Sequence, residues 1–136
     1  MRYASVMIAA LLAACSSGGY SPTDSGNPSP SGQTVTVRMG ESATVPGTAV
    51  TIAFLRVAED SRCSLDVVCV WAGNGQVALR LSVPTDAREV ALNTTIEPRE
   101  TGYAGLRIAL SALDPYPTGE PIDPDDYVAT FEVEIH

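Results

Sequence analysis

Across residues 76–83 the chain alternates strictly. Val77, Leu79, Leu81 and Val83 are aliphatic, while Gln76, Ala78, Arg80 and Ser82 are small or polar. A period of two belongs to a strand with one dry face and one wet face. The same period runs through Val35, Val37 and Met39, through Val50, Ile52 and Phe54, and through Leu106, Ile108 and Leu110. It returns at the end of the chain in Tyr127, Ala129, Phe131, Val133 and Ile135. From Gln33 onward no stretch carries a helical period. Residues 42–45, 67–72 and 88–92 add three shorter strand candidates, the last of them at an edge. Leu55 followed by Val57 shifts the parity of its strand, which predicts a β-bulge. Turn residues stand between the strands: Pro46-Gly47, Pro84, and above all Gly73-Asn74-Gly75, which predicts a hairpin because Asn-Gly tolerates positive φ. The expected fold is all-β: a small antiparallel β-sandwich or partly open barrel of about seven to eight strands.

The first third of the chain has a different composition. Arg2 precedes an apolar run over residues 4–14 that is too short to span a bilayer and fits the core of a signal peptide. The run ends Leu12-Ala13-Ala14-Cys15, which resembles a bacterial lipobox. The resemblance implies cleavage before Cys15, a diacylglycerol thioether on its sulfur, and an acyl chain on the new amino group. Two or three chains anchor a protein stably, at about 0.8 kcal/mol per buried methylene. By the rule of that family, Ser16 at the next position directs the protein to the outer membrane where the envelope has one. Residues 16–32 are Ser, Gly and Pro with few apolar side chains, so they read as a disordered spacer of about 20–25 Å. The expected organisation is a signal peptide over 1–14, a lipidated tether over 15–33 and a β domain over 34–136.

Three cysteines occur in the sequence. With Cys15 assigned to lipid, an even pair remains in an exported protein, and Cys63 is expected to bridge Cys69. Such a short loop gains about 2–2.5 kcal/mol from closure. An immunoglobulin domain is disfavoured, since its bridge joins two sheets across a long gap in sequence. Trp71, two residues past Cys69, falls on the same face of a strand as that cysteine and is placed to cover the bridge. A thioredoxin-type site wants Cys-x-x-Cys at a helix start, which is absent. A zinc-type site wants further ligands, yet the only histidine is the terminal His136. What remains is a loop that presents Arg62, Asp66 or Trp71 to a partner, or one in which Arg62 pairs locally with Asp60 or Asp66.

The run Asp60-Ser61-Arg62-Cys63, followed by Cys69-Val70-Trp71-Ala72-Gly73, is similar to a signature in small bacterial lipoproteins and secreted proteins. In that group a later Pro-Tyr-Pro, here Pro115-Tyr116-Pro117, and an Asp-Tyr pair, here Asp126-Tyr127, precede the last strand. Ser64 stands where those relatives often have proline. The resemblance spans the domain and implies the same fold and bridge. It carries no activity.

Formal charge is −8, and removal of residues 1–14 takes away Arg2 and makes it −9. Such a chain repels phosphate backbones, so nucleic acid is not an expected partner. Five carboxylates lie within residues 114–126, and Asp123, Asp125 and Asp126 are the weak candidates for calcium. No EF-hand spacing is present, and four prolines stiffen the segment, so a solvated acidic loop is the simpler reading. No Gly-x-Ser-x-Gly elbow, internal histidine or free thiol offers catalytic chemistry. The expectation is therefore a lipid-anchored envelope protein with no catalytic residues and no cofactor beyond its covalent lipid. Its β domain acts as a binding or structural module toward an envelope protein or the cell wall. The alternative is an inhibitor of a lysozyme or protease.

Overall fold

The computed structural model describes residues 32–136. The expected signal peptide, Cys15 and the tether up to Ser31 lie outside the described residues. Gln33, assigned to the tether, already opens the first strand.

Eight strands follow in order: β1 (Gln33–Arg38), β2 (Ser42–Thr44), β3 (Thr51–Asp60), β4 (Gly75–Val83), β5 (Asp86–Asn93), β6 (Glu100–Tyr103), β7 (Leu106–Asp114) and β8 (Val128–Ile135). They form two four-stranded sheets, β1-β8-β7-β6 and β2-β3-β4-β5, with antiparallel neighbours throughout. The sheets are not closed into a barrel, so of the two expected architectures the sandwich is the one adopted.

The alternating residues do what their period predicts. Ile52 and Phe54 of β3, Leu79 and Leu81 of β4, and Ile108 of β7 meet Phe131 of β8 in one buried core. Each such side chain contributes about 1.5–3 kcal/mol by leaving water. The expected bulge is present: pairing with β4 slips between Phe54 and Arg56, leaving Leu55 as the extra residue. That slip restores the inward parity of Val57, which packs against the core. A similar slip in β7 falls between Leu110 and Ala112 and brings Leu113 inside.

Two expectations fail. Residues 67–72 are not a strand, and Gly73-Asn74-Gly75 is not a tight hairpin turn. The last β3–β4 pair is Asp60 with Gly75, so the whole segment 61–74 is the connection. The reason is local. The apolar residues of 67–72 run consecutively rather than alternating, and the bridge to Cys63 turns the chain back on itself. Asn74 is buried as a staple: its Nδ2 donates to Asn93 Oδ1 at 2.9 Å, and its Oδ1 accepts from Thr95 N at 3.1 Å. In place of the missing strand stands β6, which has no alternating apolar pattern. It forms because Ala104 (φ 47°) and Gly105 (φ 77°) both take positive φ, closing a two-residue hairpin onto β7.

Strand register gives the sandwich two distinct ends. Gln33 lies opposite Val133, and its amide donates to Pro46 O in the turn that leads into β3. The turns at 84–85 and 104–105 close the same end. Segment 61–74 leaves from the far end of β3. There it meets Tyr127, whose hydroxyl donates to Asp60 Oδ2 at 2.8 Å.

Candidate functional site

Arg62 organises the far end. Its guanidinium forks onto the Asp60 carboxylate, with Nε to Oδ1 and Nη2 to Oδ2 both at 2.8 Å. Nη1 donates to Leu113 O, and Nη2 donates to Pro115 O at 3.0 Å. The same group sits 4.8 Å from the centroid of the Tyr116 ring. Planar, forked donors suit this task, since one cation satisfies a carboxylate and two carbonyls at once. Arg62 is only 6 % exposed. It therefore does not present its charge to a partner, which corrects one of the two sequence-based expectations. The local pairing with Asp60 is the arrangement found, and Asp66 is not its partner.

Burial raises the Asp60 pKa, but hydrogen bonds from Arg62 and Tyr127 and the Arg62 charge outweigh it, leaving the carboxyl below its ordinary 3.8. The Tyr127 hydroxyl is pushed up to about 12 by burial and by its bond to the ionised Asp60. The network is thus locked in one protonation state across the neutral range.

Above this hub the chain is clamped twice. Ser61 N donates to Asn74 O at 2.8 Å and Cys63 N to Ala72 O at 3.1 Å, continuing the β3–β4 arm past its last regular pair. The Cys63–Cys69 bridge then closes the tip, with Cα atoms 5.9 Å apart. Gly73 makes the closure possible: it sits at φ +66°, and a Cβ there would meet Ser61 O at 1.8 Å. The acidic segment 114–126 is laced to one flank. Leu65 N donates to Pro117 O at 2.9 Å, Ser64 Oγ to Thr118 O at 3.2 Å, and Gly119 N to Asp66 Oδ2 at 3.1 Å. Asp66 is thereby committed to holding two loops together.

The clamped tip is apolar and wet. Val68 is 102 % exposed, Val70 91 % and Trp71 82 %, and Leu65 and Val67 are exposed beside them. Trp71 does not shield the bridge, since Cys69 is itself exposed. Large apolar groups gathered on one exposed loop mark a contact surface more often than scattered ones do. Leu65, Val67, Val68 and Val70 escape the sequence reading because their run passes for a buried strand. The usable signal was the six-residue span of the bridge, too short for the enclosed residues to reach the core.

The other candidates fare differently. Among the described residues no group of three His, Cys, Asp or Glu side chains is placed to hold a metal ion. Asp123, Asp125 and Asp126 are exposed and do not converge. Asp123 instead accepts from Asp125 N at 3.0 Å, capping a single 3-10 turn over Pro124–Asp126. The calcium expectation has no donor set here. On the outer face of β6–β7–β8, Glu100 and Glu134 bracket Arg107 beside a groove of about 360 Å³ that Glu132 also lines. The Arg107 hydrogen bond holds the Glu100 carboxyl below its ordinary 4.5, so Glu100 is a carboxylate there and not an acid.

No family model, curated protein or solved structure matches this chain.

Proposed function

We propose that the chain is a lipid-anchored envelope lipoprotein whose β domain is a non-enzymatic binding module, with the disulfide-clamped loop 63–71 as its contact surface. One observation carries the reading: five large apolar side chains stand in water on a loop fixed by a bridge, a buried arginine and backbone hydrogen bonds. A loop ordered before it binds loses little conformational entropy on binding, so its apolar area converts efficiently into affinity. Aromatic and aliphatic residues of this kind form the centres of protein interfaces. The lipobox at Cys15 and the spacer after it support the membrane anchor and an outer-membrane location.

The test has two parts. Cells fed an alkyne fatty acid should label the wild-type chain and not Cys15→Ser, and the variant should leave the membrane fraction. A photo-activatable residue at Val68 should then give discrete adducts that the same residue at Arg80, on the outer face of β4, does not. A label that survives Cys15→Ser, or equal adducts from both positions, sinks the reading.

A second reading draws support from the tip being exposed and cross-linked: it would plug the cleft of a hydrolase as an inhibitor. Titration of purified lysozymes and serine proteases with the wild-type chain and Trp71→Ala decides it. Undiminished turnover at micromolar excess removes the inhibitor and leaves the binding module standing.

A further inference from the structure

The apolar tip does not stand alone at its end of the sandwich. The segment laced to it, 114–126, exposes Asp114, Glu120, Asp123, Asp125 and Asp126, and the tip itself adds Asp66. The only cation in these two segments is Arg62, and it is consumed by Asp60. Two more connections reach this end: 94–99 brings Glu97 and Arg99, with no net charge between them, and the β1–β2 turn at 39–41 brings Glu41. An apolar point is therefore set against a carboxylate flank with no free countercharge in the same pair of loops.

Taking the binding reading as given, we propose the chemistry of the partner: a protein with an apolar cleft bordered by lysine or arginine, lying away from the membrane that holds Cys15. Charge complementarity excludes the other occupants. A second copy meeting tip to tip would bring carboxylates against carboxylates. An anionic bilayer or polyphosphate would be repelled by the same flank, despite the interfacial taste of an exposed tryptophan. A basic border on an apolar cleft satisfies both parts of the surface. The apolar centre supplies affinity, and the charged border supplies attraction at a distance and orientation.

The direction of approach follows from the two ends. The chain enters the domain at Gln33, beside the turn that starts β3, whereas the tip leaves from the finish of β3. Ten residues of β3 separate the two ends, a height of about 30 Å at about 3.3 Å per residue. The tip is thus carried at the end of the domain opposite the point where the chain enters from Cys15.

The experiment uses the full chain in its native host with the photo-activatable residue at Val68. The adduct is mapped by peptide sequencing. The captured protein is then purified and titrated against the detergent-solubilised lipoprotein. The expected adduct lies in an apolar cleft of a protein with Lys or Arg on its border. Binding should weaken roughly tenfold or more from about 0.05 M to about 0.5 M salt, because exposed charges are screened over that range. A Glu120→Gln/Asp126→Asn variant, which removes two of the six carboxylates, should bind more weakly at low salt and show a shallower salt dependence. An adduct to lipid or to a second copy overturns the proposal and leaves a binding module in place. So does a cleft without a basic border, or binding indifferent to salt. Failure to form any adduct above the Arg80 control overturns the binding module itself.

Discussion

The two ends of this sandwich are built from the same strands and are closed in opposite ways. At the end where the chain enters, two-residue turns at 84–85 and 104–105 return each strand directly to its neighbour. At the other end, residues 61–74 and 115–127 are long connections, the first with its apolar tip and the second with its acidic side chains facing water. Tight turns need no side-chain support, because their backbone closes the ladder. Long connections have no ladder and must be held by something else. Here that is one buried cation, one bridge and a few backbone bonds between loops. This end is ordered without hiding the loop in the core, which suits the proposed binding surface.

The contrast is tested most severely at Arg62. Arg62→Ala strands the Asp60 carboxylate and the buried Leu113 carbonyl, and should cost about 3–5 kcal/mol in denaturant unfolding. Hydrogen exchange should rise in 61–74 and 114–127 before it rises in β4 or β8. Gly73→Ala comes next, at about 2–3 kcal/mol, since it combines a positive φ with a backbone collision at Ser61. Replacing Cys63 and Cys69 together by alanine should lose about 2 kcal/mol and leave the sheet spectrum intact, because the bridge is local.

Much of the pH response also belongs to this end. Asp60 has a depressed folded pKa, so its contribution is present above the unfolded value of about 3.9 and fades as pH falls through the lower folded value. Tyr127 is raised to about 12, so its contribution is full below pH about 10 and is lost between there and about 12. Melting curves should therefore fall in strong acid and in strong alkali, and the alkaline fall should be smaller in Tyr127→Phe, with Tyr103, also raised, supplying the remainder. The smallest stability effect is expected at Val68→Asp, within about 0.5 kcal/mol in either direction, accompanied by loss of partner capture. A large loss of stability there would mean that the tip packs on the domain after all.

The strands were readable because burial on one face writes itself into every second residue. Ile52, Phe54, Leu79, Leu81, Ile108 and Phe131 all went where their period put them. The bulge at Leu55 was readable for the same reason, as a break in that period. The tip was not. A consecutive run such as Val67-Val68 and Val70-Trp71 has the composition of a buried strand, and exposure of such a run is decided by covalent closure and neighbouring loops. Arg62 was half legible: its pairing with Asp60 is local, whereas Leu113 O and Pro115 O reach it only through the folded topology. Strand β6 left no trace because backbone geometry at 104–105 makes it, and side chains do not.

Trp71 is the only tryptophan in the chain, so its fluorescence reports on the tip alone. In the free protein it should emit as a hydrated indole with full access to acrylamide, while its anisotropy decays with the tumbling of the whole domain. Reduction of the bridge should then add a fast local component. A blue-shifted, shielded emission in the free protein would show a packed indole. Rapid local motion with the bridge intact would show an unclamped loop. Either result contradicts a rigid apolar tip held out in water.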